Sequence, residues 1–564
     1  MLQKTNLVYV FFLLLMSNYL VSCKTRHAPI KKIEIVKQPE EMDDQIADNI
    51  KSVLLYAKDN NGKINDSLKL FFPGVLESFY EKNDFHNIWS RKESWVPLAD
   101  SMFEFIQNSK YYGLYPADYH FKELFSLRKN LREDSLAKTD AIIWTKADLL
   151  LSDAFMKTAK DIKEGRLVPD SNSIALKQKY IDSFFIKSLD EAIKNDSITS
   201  LFNSIGPSNP AYQSLRSVLK NFVDKMDNTV YQYIIYPQND SLIFIKNLQK
   251  RLMQAGVAIQ DNLLPDSSLL RKEIKKYQAS HRMKKDGKVD EKFIRVLNNT
   301  DVEKFKRIAI TLDRYKLLPD SLPVRYIWVN MPGYYLEVMD HDTIVINSKV
   351  IIGKPATPTP ELISRITDMV TYPQWTIPES IIKKDILPGL KKDAGYLARK
   401  GFNLVDKKGD VVNPYTINWS KYKKGIPWKI MQGSGDDNAL GIFKFNFSNP
   451  YSVYLHDTNQ RYLFQNTIRA LSHGCVRVQN WEALAFYIAR NDSLNKTETQ
   501  KLSYDVDSIK TWLAKKDRKR IFVRNRLPLY IVYYTCIAKN DKLIIYDDVY
   551  NEDRMLAEKY FANK

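Results

Sequence analysis

Residues 453–478 read VYLHDTNQRYLFQNTIRALSHGCVRV, and this stretch carries both a strand pattern and a reactive cysteine. A strand-like run brings His456 to its end, and Cys475 follows nineteen residues later. Gly474 permits a tight backbone in which successive N–H groups can face one point. A thiol nucleophile, a nearby imidazole base and backbone donors for an oxyanion are what acyl transfer needs. The stretch therefore predicts a β-rich domain with a Cys475–His456 acyl-transfer site.

The residues by themselves leave other interpretations open, and one is that Cys475 and His456 are structural residues without a shared role. Cys475 and Cys536 could form a disulfide in an oxidising compartment, although Cys536 lies in an apolar run, 529–537, that is typical of a buried strand. His456, His473 and Cys475 could instead bind a metal, but no two-cysteine clamp or HExxH helix accompanies them. We therefore expect neither a metal nor another cofactor.

The pattern of apolar residues changes at Pro323, from helical spacing before it to strand-like runs after it. Alternating or apolar runs at 324–329, 334–338 and 343–346 predict strands. An irregular, charged insertion at about 374–430 interrupts them and contains Trp375, Trp419 and Trp428. A long insertion in a β-domain is often a binding loop or lid.

Upstream of this region the patterns are helical. Apolar residues recur at three- and four-residue spacing within 147–155, and turn signals divide 46–231 into helices. A smaller unit, 241–298, combines a helical stripe, Gly256 at a helix end and an Asp286-Gly287 turn, and it predicts three helices.

The N-terminus points to export. Lys4, the apolar run 7–15 and the small-residue site ending in Cys23 follow the order of a secretory signal, and the run is too short to span a bilayer. The alternative is an N-terminal anchor helix. Leu20-Val21-Ser22-Cys23 also resembles a bacterial lipobox, which implies that Cys23 is lipidated and tethers the chain to a membrane.

Charge and cysteine content agree with an exported enzyme. The 564 residues include 85 Lys+Arg and 66 Asp+Glu, a net charge of +19, and only three cysteines. Three cysteines exclude a disulfide scaffold, and 12% aromatic residues exclude a disordered chain. Export makes nucleic acid an unsuitable partner for the positive surplus, whereas an envelope offers anionic lipid and carboxylate-rich cell-wall peptide.

The stretches SHGCVR (472–477) and YLHD (454–457) together resemble the signature of L,D-transpeptidases with a YkuD-type catalytic domain. Further matches to the large, multi-domain periplasmic branch of that family are VIIGKP (350–355), WTIP (375–378), NALG (438–441) and GLYPADY (113–119). The unit at 241–298 resembles a small three-helix peptidoglycan-binding domain, although Asp290 and Phe293 stand where that family has Gly and Thr.

The resemblance implies a role for each signature residue. Cys475 would be the nucleophile and His456 the base, with backbone N–H groups of His473, Gly474 and Cys475 at the oxyanion. A backbone carbonyl at Asp457 would orient the imidazole. The remaining candidates for orientation or substrate binding are Ser472, Arg477 and Tyr454.

The implied reaction is two-step acyl transfer on peptidoglycan stem peptides. Cys475 would attack the third residue of a tetrapeptide stem, release the terminal D-Ala and pass the acyl group to a second stem as a 3→3 cross-link. Water or a lipoprotein amine could also be the acceptor. Two other functions are a cysteine peptidase that cuts the same stems and a non-catalytic wall-binding lipoprotein.

The expected architecture is multi-domain α+β, in a protein anchored by lipid on the periplasmic side of a membrane. The predicted divisions are a signal peptide at 1–22, a tether at 23–45, a helical scaffold at 46–238, a peptidoglycan-binding-like unit at 239–300, a linker helix at 301–322, a catalytic domain at 323–514 with a lid at about 374–430, and a C-terminal segment at 515–564.

Overall fold

The computed structural model describes residues 31–168, 181–236, 240–257, 268–423, 425–494 and 503–561. The predicted signal peptide and Cys23 lie outside these ranges. In the ranges described, no helix combines the length and apolarity needed to cross a bilayer. The architecture is multi-domain α+β, with helices in the N-terminal half and a large sheet in the C-terminal half.

The N-terminal helices pack around one long buried helix, Ala141–Lys163, whose residues 147–156 are all buried. This helix is buried on every side over that stretch because neighbours surround it, and the stretch includes the polar residues Asp148, Ser152 and Asp153. Around it lie the helices Met42–Asp59, Pro73–Lys82, Pro97–Gln107, Phe121–Glu133, Ser135–Lys138, Asp182–Asn195 and Ile198–Ile205, and a short hairpin of β1 (Ser90–Arg91) and β2 (Ser94–Trp95). The helix Pro210–Val223 instead shares a core with the helix Asp301–Tyr315. His120 contacts the buried carboxylate of Asp153 at 2.8 Å and has a structural role here.

Three helices then form a separate small core, as the sequence predicts. They are Ser241–Gln254, Ser268–Ser280 and Glu291–Asn298. Gly256 has φ of +78° directly after the first helix, a conformation that favours glycine. A fourth helix, Asp301–Tyr315, connects this unit to the sheet and is capped by the Thr300 hydroxyl.

The C-terminal half contains the remaining strands. They are β3 (Arg325–Asn330), β4 (Tyr335–Asp340), β5 (Thr343–Gly353), β6 (Leu362–Thr371), β7 (Trp375–Thr376), β8 (Phe402–Val405), β9 (Lys429–Gln432), β10 (Phe443–Phe447), β11 (Leu455–His456), β12 (Ala470–Ser472), β13 (Val476–Val478), β14 (Arg520–Phe522), β15 (Pro528–Val532), β16 (Cys536–Lys539) and β17 (Lys542–Ile545).

The main sheet follows the order β10-β11-β13-β5-β4-β3-β15-β6-β14, and β12 pairs with β5. Because β10 also pairs with β6, the path closes into a ring around a buried apolar core. The helices Trp481–Leu494 and Val506–Ala514 pack on this core and on the sheet. Two pairings matter for the site, since β11 and β13 run parallel and β13 pairs antiparallel with β5.

The apolar run 529–537 is not one strand, which corrects the sequence expectation. It divides into β15 and β16, which belong to different sheets. Between the two strands, side-chain oxygens accept the backbone N–H groups that would otherwise pair with a neighbouring strand. The Tyr533 N–H donates to Glu361 Oε1 at 2.7 Å and the Tyr534 N–H to Asn330 Oδ1 at 3.0 Å. Cys536 is fully buried, as expected for a core thiol.

The main sheet includes strands from both sides of the predicted boundary between the catalytic domain, 323–514, and the C-terminal segment, 515–564. β14 and β15 lie in the segment 515–564, yet β15 sits between β3 and β6 in the middle of the sheet. That segment is therefore an integral part of the sheet, and its final helix, Glu552–Phe561, packs against the helix Asp301–Tyr315. The other divisions stay predictions.

The insertion at 374–430 is more ordered than the irregular loop expected from its sequence. β7, β9 and β8 form a three-stranded sheet, and short helical segments at 379–392 and 396–399 pack on it around an apolar core of their own. Trp419 is buried in that core and donates its Nε1–H to the Pro414 carbonyl. Because the insertion has an apolar core of its own, it forms a separate folded unit.

Candidate active site

The parallel pairing of β11 with β13 brings the predicted nucleophile and base to one place. His456 lies opposite Arg477 in this pairing, and the Val476 N–H donates to the Tyr454 carbonyl at 3.1 Å. Cys475 immediately precedes β13, so its side chain and that of His456 line the same cleft of about 110 Å³. Two residues that are nineteen positions apart in sequence thus line one cleft.

Burial keeps the imidazole neutral. His456 is 4% exposed, and burial lowers its pKa to about 3, with the nearby charge of Arg477 acting in the same direction. Its Nδ1 has no partner at hydrogen-bond geometry among the described residues, although the backbones of Asp457 and Leu440 act to raise the pKa. A neutral imidazole is able to accept the proton of a thiol.

Burial also raises the pKa of the Cys475 thiol. The backbone and hydroxyl of Tyr454 oppose burial by stabilising the thiolate, and the positive charges of Lys444 and Arg477 do the same more weakly. Cys475 Sγ lies 4.0 Å from the Ser452 carbonyl oxygen. The free cleft therefore holds a neutral thiol beside a neutral imidazole, with charges placed to stabilise the thiolate when it forms.

Ser472 braces the loop that carries the thiol. Its hydroxyl donates to the Cys475 carbonyl at 2.6 Å and accepts the Gly474 N–H at 3.1 Å. The Gly474 N–H is therefore engaged within the loop and not free for the oxyanion, which corrects that part of the expectation. Among the described residues, the N–H groups of His473 and Cys475 have no acceptor, so these two donors remain.

Gly474 is needed for its backbone conformation. Its φ is +120°, a value that side-chain-bearing residues rarely adopt. Lack of space is not the reason for the glycine, because an added Cβ would make only ordinary van der Waals contacts with the Thr357 and Pro358 carbonyl oxygens.

The Asp457 side chain faces away from the imidazole. Its buried carboxylate accepts two hydrogen bonds from Arg461, at 2.6 and 3.1 Å, and one from the Ile442 N–H at 3.1 Å. Gly441 packs so close that an added Cβ would lie 2.3 Å from the same carboxylate. Asp457 thus fixes the end of β11, and only its backbone acts on His456.

Arg477 and His473 both line the cleft. Arg477 donates from Nη1 to the neutral oxygens of Gln460 and Thr458, and its Nε is buried without a partner among the described residues. His473 Nε2 contacts Asp385 Oδ2 at 2.8 Å, which joins the cysteine loop to the insertion. Trp375 also comes from the insertion and lines the cleft, while its Nε1 has no acceptor in the described structure.

Two supporting residues were missed by the sequence analysis. Lys444 lies opposite His456 in the β10–β11 register, and its ammonium sits 3.9 Å from the centre of the Tyr454 ring. The alternation of Phe443-Lys444-Phe445 marks Lys444 as facing away from the core, but not as facing the site. Thr359 donates to the Gly474 carbonyl at 2.8 Å, and no pattern in its own segment indicates that contact.

In the described residues, no group of three or more His, Cys, Asp or Glu side chains is arranged to hold a metal. Cys475 and Cys536 are both free thiols, so the disulfide interpretation is wrong.

Two family models match the chain. Residues 324–491 match the L,D-transpeptidase catalytic domain of the YkuD family, and residues 74–219 match the scaffold domain. The chain is thus a multi-domain protein that carries a YkuD-type L,D-transpeptidase catalytic domain behind a scaffold domain.

A Haemophilus influenzae protein named "Putative L,D-transpeptidase" is 32% identical over 251 residues, which is 44% of this chain and 49% of that protein. The match thus spans about half the length of this curated relative.

Solved structures give weaker similarities. An L,D-transpeptidase from Mycobacterium smegmatis aligns over 37% of this chain and 58% of its own, with 11% identity and a TM-score of 0.19. A mutant of the Enterococcus faecium L,D-transpeptidase aligns over 57% of this chain and 98% of its own, with 9% identity and a TM-score of 0.16. Similarities at this level say nothing about substrate or mechanism.

Proposed function

We propose that this protein is an L,D-transpeptidase that forms 3→3 cross-links between peptidoglycan stem peptides through a Cys475 thioester. The observation that carries the proposal is the β11–β13 pairing, which places His456 and Cys475 on one cleft with two free backbone N–H donors. Burial lowers the pKa of the His456 imidazole and raises the pKa of the Cys475 thiol, which supports acyl transfer that starts from a neutral pair.

In the first step, His456 takes the thiol proton as Cys475 Sγ attacks the carbonyl carbon of the third residue of a donor tetrapeptide. The carbonyl oxygen becomes an oxyanion that the free N–H groups stabilise. Collapse of this intermediate breaks the peptide bond, the imidazolium protonates the departing D-Ala amine, and a thioester remains.

In the second step, a side-chain amine of another stem attacks the thioester carbonyl. His456 removes the proton from the amine and returns one to the departing sulfur, which regenerates the neutral pair. Because both half-reactions use the same base and oxyanion donors, one cleft serves donor and acceptor in turn.

The positive charge at the cleft suits a substrate rich in carboxylates. Arg477 has hydrogen bonds only to neutral oxygens in the described structure, so its charge is available to a stem carboxylate. Trp375 lines the cleft from the insertion and is positioned to cover a bound donor peptide.

Muropeptide analysis tests the function. Cells that express the wild type should gain 3→3 linked dimers, and cells that express Cys475→Ala should not. Cys536→Ala is the matched control, since it removes the other thiol of the described chain, which is fully buried and has a pKa raised to about 11. Equal amounts of 3→3 dimers in wild type and Cys475→Ala would refute the assignment, and trimmed stems without dimers would favour the peptidase.

A carbapenem provides a second, purified assay. The proposal predicts one covalent adduct by intact mass, lost in Cys475→Ala and retained in Cys536→Ala. An adduct that persists in Cys475→Ala would place the nucleophile elsewhere.

We further propose that the protein is lipid-anchored at Cys23 on the periplasmic side of a membrane. The support is the lipobox-like sequence Leu20–Cys23 after a short apolar run. Radiolabelled palmitate should be incorporated into the wild type and not into Cys23→Ala. Equal incorporation in both would refute the anchor.

A further inference from the structure

The peptide bond between Gly474 and Cys475 is held from one side by a buried hydroxyl. Thr359 is 1% exposed, and its Oγ1 donates to the Gly474 carbonyl at 2.8 Å. The same Oγ1 accepts the Gly353 N–H at 2.9 Å. The direction of both bonds is fixed, because the Gly353 N–H can only donate and the Gly474 carbonyl can only accept.

This contact determines where the Cys475 N–H points. A peptide group is planar and trans, so the N–H is directed opposite to the carbonyl of the preceding residue. Since Thr359 holds the Gly474 carbonyl on the inner side of the loop, the Cys475 N–H is turned outward to the cleft. No described residue accepts from it.

The Ser472–His473 peptide, two before the Gly474–Cys475 peptide, is held in a similar way. The Ser472 carbonyl accepts the Lys354 N–H at 3.0 Å and the Thr357 hydroxyl at 3.3 Å. The His473 N–H is thus turned away from the 354–359 segment. The His473 and Cys475 N–H groups thus each point away from a carbonyl that is held by the 354–359 segment.

Tyr550 holds Thr359 in turn. Its hydroxyl accepts the Thr359 N–H at 3.2 Å and donates to the Gly353 carbonyl at 2.7 Å. The three residues form a closed ring of hydrogen bonds around the turn after β5. Tyr550 stacks on Tyr533 at 5.5 Å, so the C-terminal segment supports the active-site loop from behind.

We propose that Thr359 is a positioning residue for acyl transfer, which orients the Cys475 N–H toward the oxyanion and is itself held by Tyr550. The inference rests on the proposed function, because an oxyanion forms only if Cys475 attacks a carbonyl. Thr359 does not contact the reacting atoms and acts through the Gly474 carbonyl.

The test compares two reactions of the same thiol. Acylation by a carbapenem passes through a tetrahedral oxyanion, whereas alkylation by iodoacetamide is a direct displacement at carbon and forms none. Thr359→Val keeps the shape and the β-branch but removes the hydroxyl. Thr359→Ser restores the hydroxyl, and Tyr550→Phe removes only the support behind it.

We expect Thr359→Val to slow carbapenem acylation by about 10- to 100-fold, since loss of one oxyanion donor costs about 10²–10³-fold and here the donor is misdirected and not removed. Alkylation should stay within about twofold of wild type. Thr359→Ser should recover most of the acylation rate, and Tyr550→Phe should fall between wild type and Thr359→Val.

Three results would overturn the role of Thr359. The first is an equal slowing of both reactions by Thr359→Val, which would indicate a change in the thiol or the fold. The second is failure of Thr359→Ser to recover acylation, and the third is no effect of Thr359→Val on acylation. A wild type that alkylates but never acylates would refute the proposed function itself, and the role of Thr359 with it.

Discussion

The close contact of Gly441 with Asp457 gives a prediction that can be worked from distances. In Gly441→Ala, the new Cβ would lie 2.3 Å from Asp457 Oδ2 and 2.6 Å from the Thr458 backbone nitrogen. An ordinary contact begins at 3.4 Å, so the carboxylate must move by about 3.4 − 2.3 = 1.1 Å. The backbone nitrogen cannot rotate away, so the strand end that carries His456 must move with it.

The expected cost has two parts. Gly441 has φ of +62°, which costs a residue with a Cβ about 1–2 kcal/mol. Displacing the Asp457 carboxylate weakens its hydrogen bonds to the Ile442 N–H and to Arg461. A hydrogen bond to a charged group contributes about 1.5–3 kcal/mol to the free energy of unfolding. Because Arg461 is exposed, we expect a loss at the lower end of this range. We expect a total of about 2–4 kcal/mol, and acylation slowed by up to about 100-fold because a shift of about 1 Å at a catalytic group has that effect.

Gly401→Ala is the matched control. Gly401 has nearly the same φ, +66°, but nothing lies within 4 Å of the position of its Cβ. It therefore carries the backbone cost without the clash. The assays are urea unfolding and carbapenem acylation of both variants. Equal destabilisation by the two variants, or normal acylation in Gly441→Ala, would refute the reasoning.

Three further predictions concern buried charge. Burial lowers the pKa of His456 from 6.5 to about 3, so its contribution to stability is present above pH 6.5 and is lost as the pH falls toward 3. His456→Gln should therefore flatten the pH dependence of the free energy of unfolding between pH 6.5 and 3, measured by urea unfolding. An unchanged slope would contradict this prediction. Alkylation of Cys475 should rise steadily from pH 5 to 8, and a rate that is flat at low pH would indicate a preformed thiolate instead. Asp553→Asn should destabilise the protein by about 3–5 kcal/mol, since it leaves the buried Arg314 without its closest carboxylate; a loss below about 1 kcal/mol in urea unfolding would show that the pair contributes little.

Much of the fold was predictable because the buried face of a helix or strand requires apolar residues at a regular spacing in the sequence. The long helix 141–163 and the strands after Pro323 followed from three- to four-residue and two-residue spacing. The prediction failed at 529–537, where an unbroken apolar run spans two strands. Composition cannot show that Glu361 and Asn330 end the ladder there, because both lie far away in the chain.

The sequence by itself supplied the chemistry that we propose for the centre of the site. Cys475 and His456 follow from residue types that acyl transfer requires, and the glycine before the thiol is explained by a φ of +120°. These features are local, since each depends on a residue and its immediate neighbours. The same holds for the export signal, which sequence order alone suggests and which stays a prediction.

Only the tertiary structure decided which residues support that centre. Lys444 reaches the site from β10, whereas Thr359 and Tyr550 lie outside the strands, and the contacts of Thr359 join positions 115 and 191 residues apart in the chain. The structure also removed the Gly474 N–H from the oxyanion donors, by pairing it with Ser472. The physical reason is that hydrogen-bond direction depends on which groups face each other after folding, and periodicity records only which side of a strand or helix is buried.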